Sequence, residues 1–127
     1  MKFAPLLAAA ALAFAPAAFA ADDHTHGAKP QHGGVITEAS DIEFELVAKG
    51  GAVTIHVRDH GKPLATQGAT GKLTVLSGSD RAEGALAPAG DNRLEAKGDF
   101  KVGPGSKLVA TVSLQGKKPI NVRFAIK

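Results

Sequence analysis

Histidine is the residue type in this chain best suited to chemistry. Three of the five histidines lie close together near the N-terminus. Segment 21–34 reads ADDHTHGAKPQHGG and contains His24, His26 and His32. A neutral imidazole is the commonest protein ligand for zinc, copper and nickel ions. In an extended chain His24 and His26 could bind one ion together, and His32 could supply a third nitrogen. The pattern predicts a short metal-binding tract.

The first twenty residues have the pattern of a secretory signal peptide. Lys2 provides the positive start, residues 3–14 form an Ala- and Leu-rich stretch, and a small-x-small cleavage motif ends at Ala20. The alternative is a membrane anchor, but Pro5 and Pro16 bracket an apolar run too short to cross about 30 Å of hydrocarbon. We therefore expect a cleaved leader, residues 1–20, and a mature chain without a membrane span in a bacterial periplasm.

Two acidic residues, Asp22 and Asp23, precede the histidines and could add a carboxylate oxygen to the same ion. The chain has no Cys and its one Met is the first residue. This disfavours Cu(I) and favours Cu(II), Zn(II) or Ni(II). Cleavage directly before Asp22 would also join a free amine, two amide nitrogens and the His24 imidazole in a square-planar Cu(II) or Ni(II) site. The competing interpretation is a flexible linker, since segment 21–34 has no hydrophobic periodicity and is too polar to pack by itself.

Composition excludes several classes of function. A length of 127 residues allows one modest domain, and 15 basic against 12 acidic residues leave a net charge of only +3. Without a basic run, a nucleic-acid surface is disfavoured. The chain has no Trp or Tyr, which argues against a base-stacking platform. No nucleophile elbow or phosphate-binding loop is recognisable, so we expect no enzyme and no organic cofactor.

From residue 35 onward, alternating apolar and polar residues predict half-buried strands. The sequence predicts a hairpin around Gly50-Gly51, because glycine accepts the positive φ angles of a two-residue turn. Its register pairs apolar with apolar and acid with base; the predicted pairs are Leu46 with Ile55, Phe44 with Val57, Glu45 with His56, and Glu43 with Arg58. A shift of one residue would destroy all four pairs. Glu43 and Glu45 are expected on a solvated face.

The remaining strands are predicted at 72–76, 81–87 and 92–96, followed by a C-terminal hairpin. A three-residue loop at 116–118 would pair Leu114 with Ile120, and Val112 with Val122. Short strands with turn signals about every ten residues are typical of a β-sandwich. We expect residues 35–127 to form an all-β, immunoglobulin-like antiparallel sandwich of about seven strands, preceded by the signal peptide and the flexible His-rich segment 21–34.

Two further histidines lie within this β domain. His56 faces outward from a strand opposite Glu45, either as a cross-strand pair or as a surface ligand pair that the flexible segment completes. His60 lies in the polar turn 59–63, either as a solvent-exposed turn residue or as a ligand at a loop tip. An extended strand separates His56 from His60 by roughly 13 Å, too far to share an ion.

The segment 32–47, HGGVITEASDIEFELV, resembles the start of the extracytoplasmic domain in periplasmic adaptor subunits of heavy-metal efflux systems of the resistance–nodulation–division type. It also resembles small stand-alone periplasmic proteins with a His-rich start. The shared features are His32-Gly33-Gly34, then Asp41, then Glu45-Leu46. Segment 59–76 is similar to a turn-and-edge segment of the same proteins and of other small bacterial immunoglobulin-like domains. The helical hairpin and lipoyl segments of a complete adaptor are absent from the sequence. The resemblance implies periplasmic handling of copper, zinc or related ions.

Two functions therefore compete. The first is a periplasmic metal-binding protein that buffers Cu(II)- or Zn(II)-type ions, or delivers them to an efflux adaptor or another envelope protein. Its predicted ligands are His24, His26 and His32, with His56, His60, Glu45, Asp22 and Asp23 as further candidates. The second is a non-catalytic β-sandwich module of the cell envelope that binds a protein partner and has no metal role, for which an open sheet edge would be suited.

Overall fold

The computed structural model of the protein describes residues 29–127. These residues form strands and turns without a helix, and all strand pairs are antiparallel. The nine strands are β1 (Val35–Ala39), β2 (Ile42–Lys49), β3 (Ala52–Asp59), β4 (Lys62–Pro63), β5 (Thr70–Ser77), β6 (Asp80–Pro88), β7 (Arg93–Ala96), β8 (Lys107–Ser113) and β9 (Ile120–Ala125). The all-β prediction is confirmed. The two strands beyond the expected seven are β1 and the two-residue β4.

The strands follow the order β1-β2-β3-β7-β6-β5-β8-β9, with β4 paired to β3 outside this path. A first sheet contains β1, β2, β3 and β7, and a second contains β5, β8, β9 and most of β6. The end of β6 joins them, because Ala87 and Pro88 pair with β7. The outer strands β1 and β9 also meet, where the Thr37 hydroxyl donates to the Arg123 carbonyl at 2.8 Å. The arrangement is nearly a closed barrel.

The β2–β3 hairpin has the register that the sequence predicted. Leu46 lies opposite Ile55, and Glu45 lies opposite His56. Gly50 and Gly51 both have positive φ, 60° and 83°, as a two-residue hairpin turn of this kind requires. The β1–β2 turn has the same form but uses Ser40 and Asp41, with φ of 52° and 63°. Positive φ is uncommon for residues with a Cβ, so this turn and strand β1 carry a weaker sequence signal.

The predicted register of the C-terminal hairpin is wrong by two residues. Val112 pairs with Ile120 and Ala110 with Val122, so the connection runs from 114 to 119. Pro119 has no N–H to donate, and the carbonyl of Leu114 instead accepts the N–H of Lys117 at 2.9 Å. A shift of two leaves every side chain on its predicted face, because the side-chain period of a strand is also two.

The core lies between the two sheets and is aliphatic, with three phenylalanines. Phe100 comes from the connection after β7, where its backbone N–H donates to the Gly51 carbonyl at 3.0 Å. Its ring lies against the backbone of Gly84 on β6, where no side chain would fit. The largest fully buried apolar side chains come from both sheets; they are Phe44, Leu46, Ile55, Leu73, Leu94 and Leu108. Among residues 29–127, the structure has no helix that could span a membrane.

Candidate functional site

His56 lies on the outward face of β3, between two charged neighbours. Glu45 is opposite it on β2, and Arg93 is opposite it on β7. Arg58 is the next residue on the same face of β3, because side chains alternate along a strand. The β2–β3 register, fixed by the Gly50-Gly51 turn, therefore brings an imidazole, a carboxylate and two guanidinium groups together on the first sheet.

The segment before β1 lies across this face of the sheet. We call residues 29–34 the strap. It places the imidazole of His32 on the imidazole of His56, with ring centroids 3.7 Å apart and planes 11° apart. Of the three histidines predicted as principal ligands, His32 is the one within the described residues, and it contacts a histidine of the β domain.

The carboxylate of Glu45 holds the strap through backbone hydrogen bonds. Oε1 accepts the N–H of Gln31 at 2.9 Å, and Oε2 accepts the N–H groups of His32 at 2.7 Å and Gly34 at 3.0 Å. Burial by itself would raise the pKa of Glu45, but these three donors and the nearby His32 together lower it below its ordinary value. The side chain is therefore an ionised anion that fixes the backbone around His32.

The glycines of His32-Gly33-Gly34 make this geometry possible. Gly33 has φ of +72°, a conformation that residues with a Cβ rarely adopt. A Cβ on Gly34 would overlap the backbone carbonyl of Leu46 on β2. The first glycine turns the chain and the second lets it pass close to β2, so that N–H groups on both sides of Gly33 reach one carboxylate.

Arg58 is buried beside Glu45 beneath the strap. Its side chain is 3% exposed and that of Glu45 is 0% exposed. Arg58 Nη2 lies 3.4 Å from Glu45 Oε1 and donates to the Lys29 carbonyl at 3.3 Å. Its Nε and Nη1 have no hydrogen-bond partner within the part of the chain that the structure describes. Removal of a buried charge's partner is costly, so Glu45 and Arg58 depend on each other for stability.

The expectation that Glu43 and Glu45 lie on a solvated face is wrong. Both are buried, Glu45 under the strap and Glu43 by the β3–β4 turn, where its Oε1 accepts the Gly61 N–H at 2.7 Å. Strand periodicity correctly assigned them to the face opposite the core. It could not show that another segment of the chain covers that face. The available signal was Gly33-Gly34 directly before β1, since paired glycines mark a close backbone approach as well as a turn.

The environment of His56 favours its neutral form. Burial lowers the pKa of His56, and the charges of His32, Arg93 and Arg58 lower it further, while Glu45 acts in the opposite direction. The net shift is downward. Neutral imidazole is the form that binds metal ions, so His56 is available as a nitrogen donor over a wider pH range than an ordinary histidine.

The observed rings are not arranged to share one ion. Metal ions bind imidazole nitrogen in the plane of the ring at about 2.0–2.1 Å, and two stacked rings with centroids 3.7 Å apart do not direct their lone pairs to a common point. Binding by both rings requires one of them to rotate. Glu45 has its oxygens occupied by three N–H donors and Arg58. Across residues 29–127, no group of three or more His, Asp or Glu side chains is positioned to hold a metal ion.

The other candidate ligands lie elsewhere. His60 is in the β3–β4 turn with φ of 52°, 84% exposed, and its Nδ1 is 2.6 Å from Asp59 Oδ1. It is not part of the His32–His56 contact. The signal peptide 1–20 and the candidates Asp22, Asp23, His24 and His26 lie outside the described residues.

Comparison of the chain with models of protein families, with curated proteins and with solved structures finds no match.

Proposed function

We propose that this chain is a non-enzymatic metal-binding protein that takes up Cu(II)- or Zn(II)-type ions through imidazole nitrogens. The contact between His32 and His56 is the observation that carries the proposal. It brings His32 of the His-rich segment against His56 of the β domain. In the sequence, His32 follows His24 by eight residues and His26 by six. Three of the five histidines lie within segment 21–34, and His56 contacts that segment through His32.

In this proposal His24, His26, His32 and His56 are the ligands, and one of the two stacked rings rotates on binding. Glu45 is a positioning residue, since it holds the backbone of Gln31, His32 and Gly34. A donor set of imidazoles without thiolate or thioether matches borderline divalent ions. Asp22 and Asp23 are additional oxygen donors.

Calorimetric titration with Cu(II) and Zn(II) tests the proposal. Wild type is compared with H24A/H26A, H32A and H56A, and H60A is the matched control because His60 is exposed and outside the contact. Loss of a ligand should weaken the affinity for the metal by about tenfold or more, since mutation of a residue that only supports a metal ligand already has an effect of that size. H60A should bind like wild type. Equally weak binding by all five proteins would refute the proposal.

The proposed location is the periplasm, after cleavage behind Ala20, and the proposed role there is to buffer metal or deliver it to an efflux adaptor. The support is the leader pattern of residues 1–20 and the resemblance of segment 32–47 to adaptor domains. Mass spectrometry of the protein from a periplasmic extract should give a chain beginning at Ala21. A full-length mass, or recovery from the cytoplasm alone, would contradict this.

We further propose that the β domain is a divergent member of the immunoglobulin-like class. Its two antiparallel sheets enclose one core, as in such sandwiches, although β6 continues from one sheet into the other. The competing function, an interaction module without a metal role, is supported by a different feature: within the described residues, β6 pairs with β5 along 80–86 but with β7 only at Ala87 and Pro88, which leaves an edge open to a partner strand.

A further inference from the structure

Among the described residues, strand β6 has a free edge over most of its length. It pairs with β5 from Asp80 to Leu86, but it pairs with β7 only at Ala87 and Pro88. Along 80–86, no other strand among the described residues lies against the second edge. Such an edge presents unpaired N–H and C=O groups that can pair with another strand.

The β5–β6 turn determines which residues present these groups. Ser77 and Asp80 flank a two-residue loop in which Gly78 has φ of +62°, so they form a hydrogen-bonded pair. Hydrogen-bonded and non-bonded pairs alternate along the ladder, so the backbone groups of Arg81, Glu83 and Ala85 point away from β5. The pairing of Ala87 with β7 agrees with this alternation.

The side chains along this edge carry a specific charge order. Arg81 and Glu83 lie on the outward face, with Arg81 Nη2 2.7 Å from Glu83 Oε1, and Lys72 of β5 lies 3.1 Å from Glu83 Oε2. Between them, Ala82 lines a cleft of about 280 Å³ that charged side chains also line, among them Asp99 and Lys101. The edge is therefore exposed, with charged side chains on its outer face and the small side chain of Ala82 beside the cleft.

We propose that this edge forms a symmetric dimer, in which two copies of β6 pair antiparallel about Ala82. Arg81 of each copy then lies opposite Glu83 of the other, and each such pair exchanges two backbone hydrogen bonds. A symmetric dimer requires this reciprocity, and an Arg-Ala-Glu order provides it, because the reversed strand presents Glu-Ala-Arg.

Other registers lack this match. A shift of two residues places Arg81 opposite Arg81, or Glu83 opposite Glu83, and like charges directly opposite are unfavourable. A shift of one residue would place residues whose backbone N–H and C=O groups point to the new partner opposite residues whose backbone groups are already bonded to β5. Edge charges also oppose strands without the complementary order, so they select a second copy over an unrelated strand.

The expected dimer is weak and reversible. Four backbone hydrogen bonds and two surface ion pairs form a contact well below the roughly 1,200–2,000 Å² of a stable interface. Surface ion pairs are screened by salt, so association should decrease as ionic strength rises. The edge belongs to the second sheet, whereas the His32–His56 contact lies on the first. This inference therefore does not depend on metal binding.

Sedimentation equilibrium at low salt tests the dimer, in the presence of a chelator and over protein concentrations up to about 1 mM. Wild type should show a monomer–dimer equilibrium. R81E places carboxylates opposite carboxylates and E83R places guanidinium groups opposite guanidinium groups, so each variant alone should dissociate about tenfold more readily or remain monomeric.

An equimolar mixture of R81E and E83R is the decisive sample. In the mixed pair, positions 81 and 83 of one chain both carry carboxylates, and the same positions of the other chain both carry guanidinium groups. Opposite charges then face each other at both pairs, so association should return to the wild-type level. Mixing does not change the sequence of either variant, so recovered association cannot come from restored folding of a variant chain. A wild type that stays monomeric throughout, single variants that associate like wild type, or a mixture without recovery would each overturn the inference.

Discussion

At the residue scale, a single buried carboxylate determines where the His-bearing segment meets the β domain. Glu45 accepts three backbone N–H groups from the strap and lies beside Arg58, which is also buried. Without these donors, a buried carboxylate would be protonated or unstable. Glu45 is thus satisfied only when the strap is in place, and His32 lies against His56 for the same reason.

At Gly34 the strap packs so closely against β2 that there is no room for an added methyl group. In G34A the new Cβ would overlap the rigid backbone carbonyl of Leu46, so the strap must move away from Glu45. We expect a loss of about 1–3 kcal/mol in the free energy of unfolding, as for other overpacked sites. The control is G103A, where a Cβ meets nothing within 4 Å and φ is not positive.

Chemical denaturation of both variants measures these effects. The control should change stability by no more than about 0.5 kcal/mol. Equal stabilities for G34A and G103A would show that the strap is not held closely against β2.

Arg58 provides a second prediction at this scale. R58A leaves the buried Glu45 carboxylate without its cationic neighbour, so we expect a loss of about 3 kcal/mol. The matched control is K97A, because Lys97 forms an exposed ion pair with Glu95 at 3.8 Å, and such pairs contribute about 1 kcal/mol or less. Urea unfolding separates the two outcomes, and similar losses would mean that the Arg58–Glu45 pair is solvated.

At the element scale, the sequence predicts hairpins well where the turn itself carries the information. Gly50-Gly51 can form a two-residue turn without strain, and the resulting register is confirmed along the whole β2–β3 pair. The C-terminal register was misassigned because Pro119 lengthens the connection beyond its apparent glycine loop. Strand β1 ends in a turn at Ser40-Asp41, whose positive φ angles are not a usual property of these residue types.

The strap shows what strand patterning cannot supply. Its polar composition gives no hydrophobic drive for packing, yet it is held by hydrogen bonds to a carboxylate that lies 11 to 14 residues later. Alternation placed Glu45 and His56 correctly on one face. Whether that face met water or another segment depended on a contact distant in sequence, for which Gly33-Gly34 was the only local sign.

The strap also predicts a pH dependence of stability. The pKa of Glu45 is lowered in the folded protein relative to its ordinary value of 4.5, so the unfolded chain binds this proton more readily. The stabilisation is fully present above about pH 4.5 and is lost as the pH falls through the lower, folded-state pKa.

Unfolding midpoints measured between pH 7 and pH 3 should therefore fall more steeply for wild type than for E45Q, which lacks this titration. E45Q should be less stable than wild type at pH 7. E95Q is the control, since Glu95 is a partly exposed carboxylate that lies 3.8 Å from Lys97. Parallel pH profiles for wild type and E45Q would contradict the role assigned to the buried carboxylate.

At the scale of the whole molecule, the nearly closed arrangement of strands separates two surfaces. The first sheet carries His56 and the strap, and the second carries the free edge of β6. The proposed metal ligands and the proposed dimer contact therefore involve different strands. R81E and E83R should bind Cu(II) like wild type, and H56A should dimerise like wild type.

We propose that His56 of the β domain and the N-terminal histidines bind the same ion. Electron paramagnetic resonance of the protein loaded with one equivalent of Cu(II) tests it most directly, because couplings to imidazole nitrogen report the ligands themselves. We expect couplings to at least three imidazole nitrogens for wild type, one fewer in H56A, and an unchanged spectrum in H60A. A wild-type spectrum without imidazole coupling, or one that H56A leaves unchanged, would contradict it.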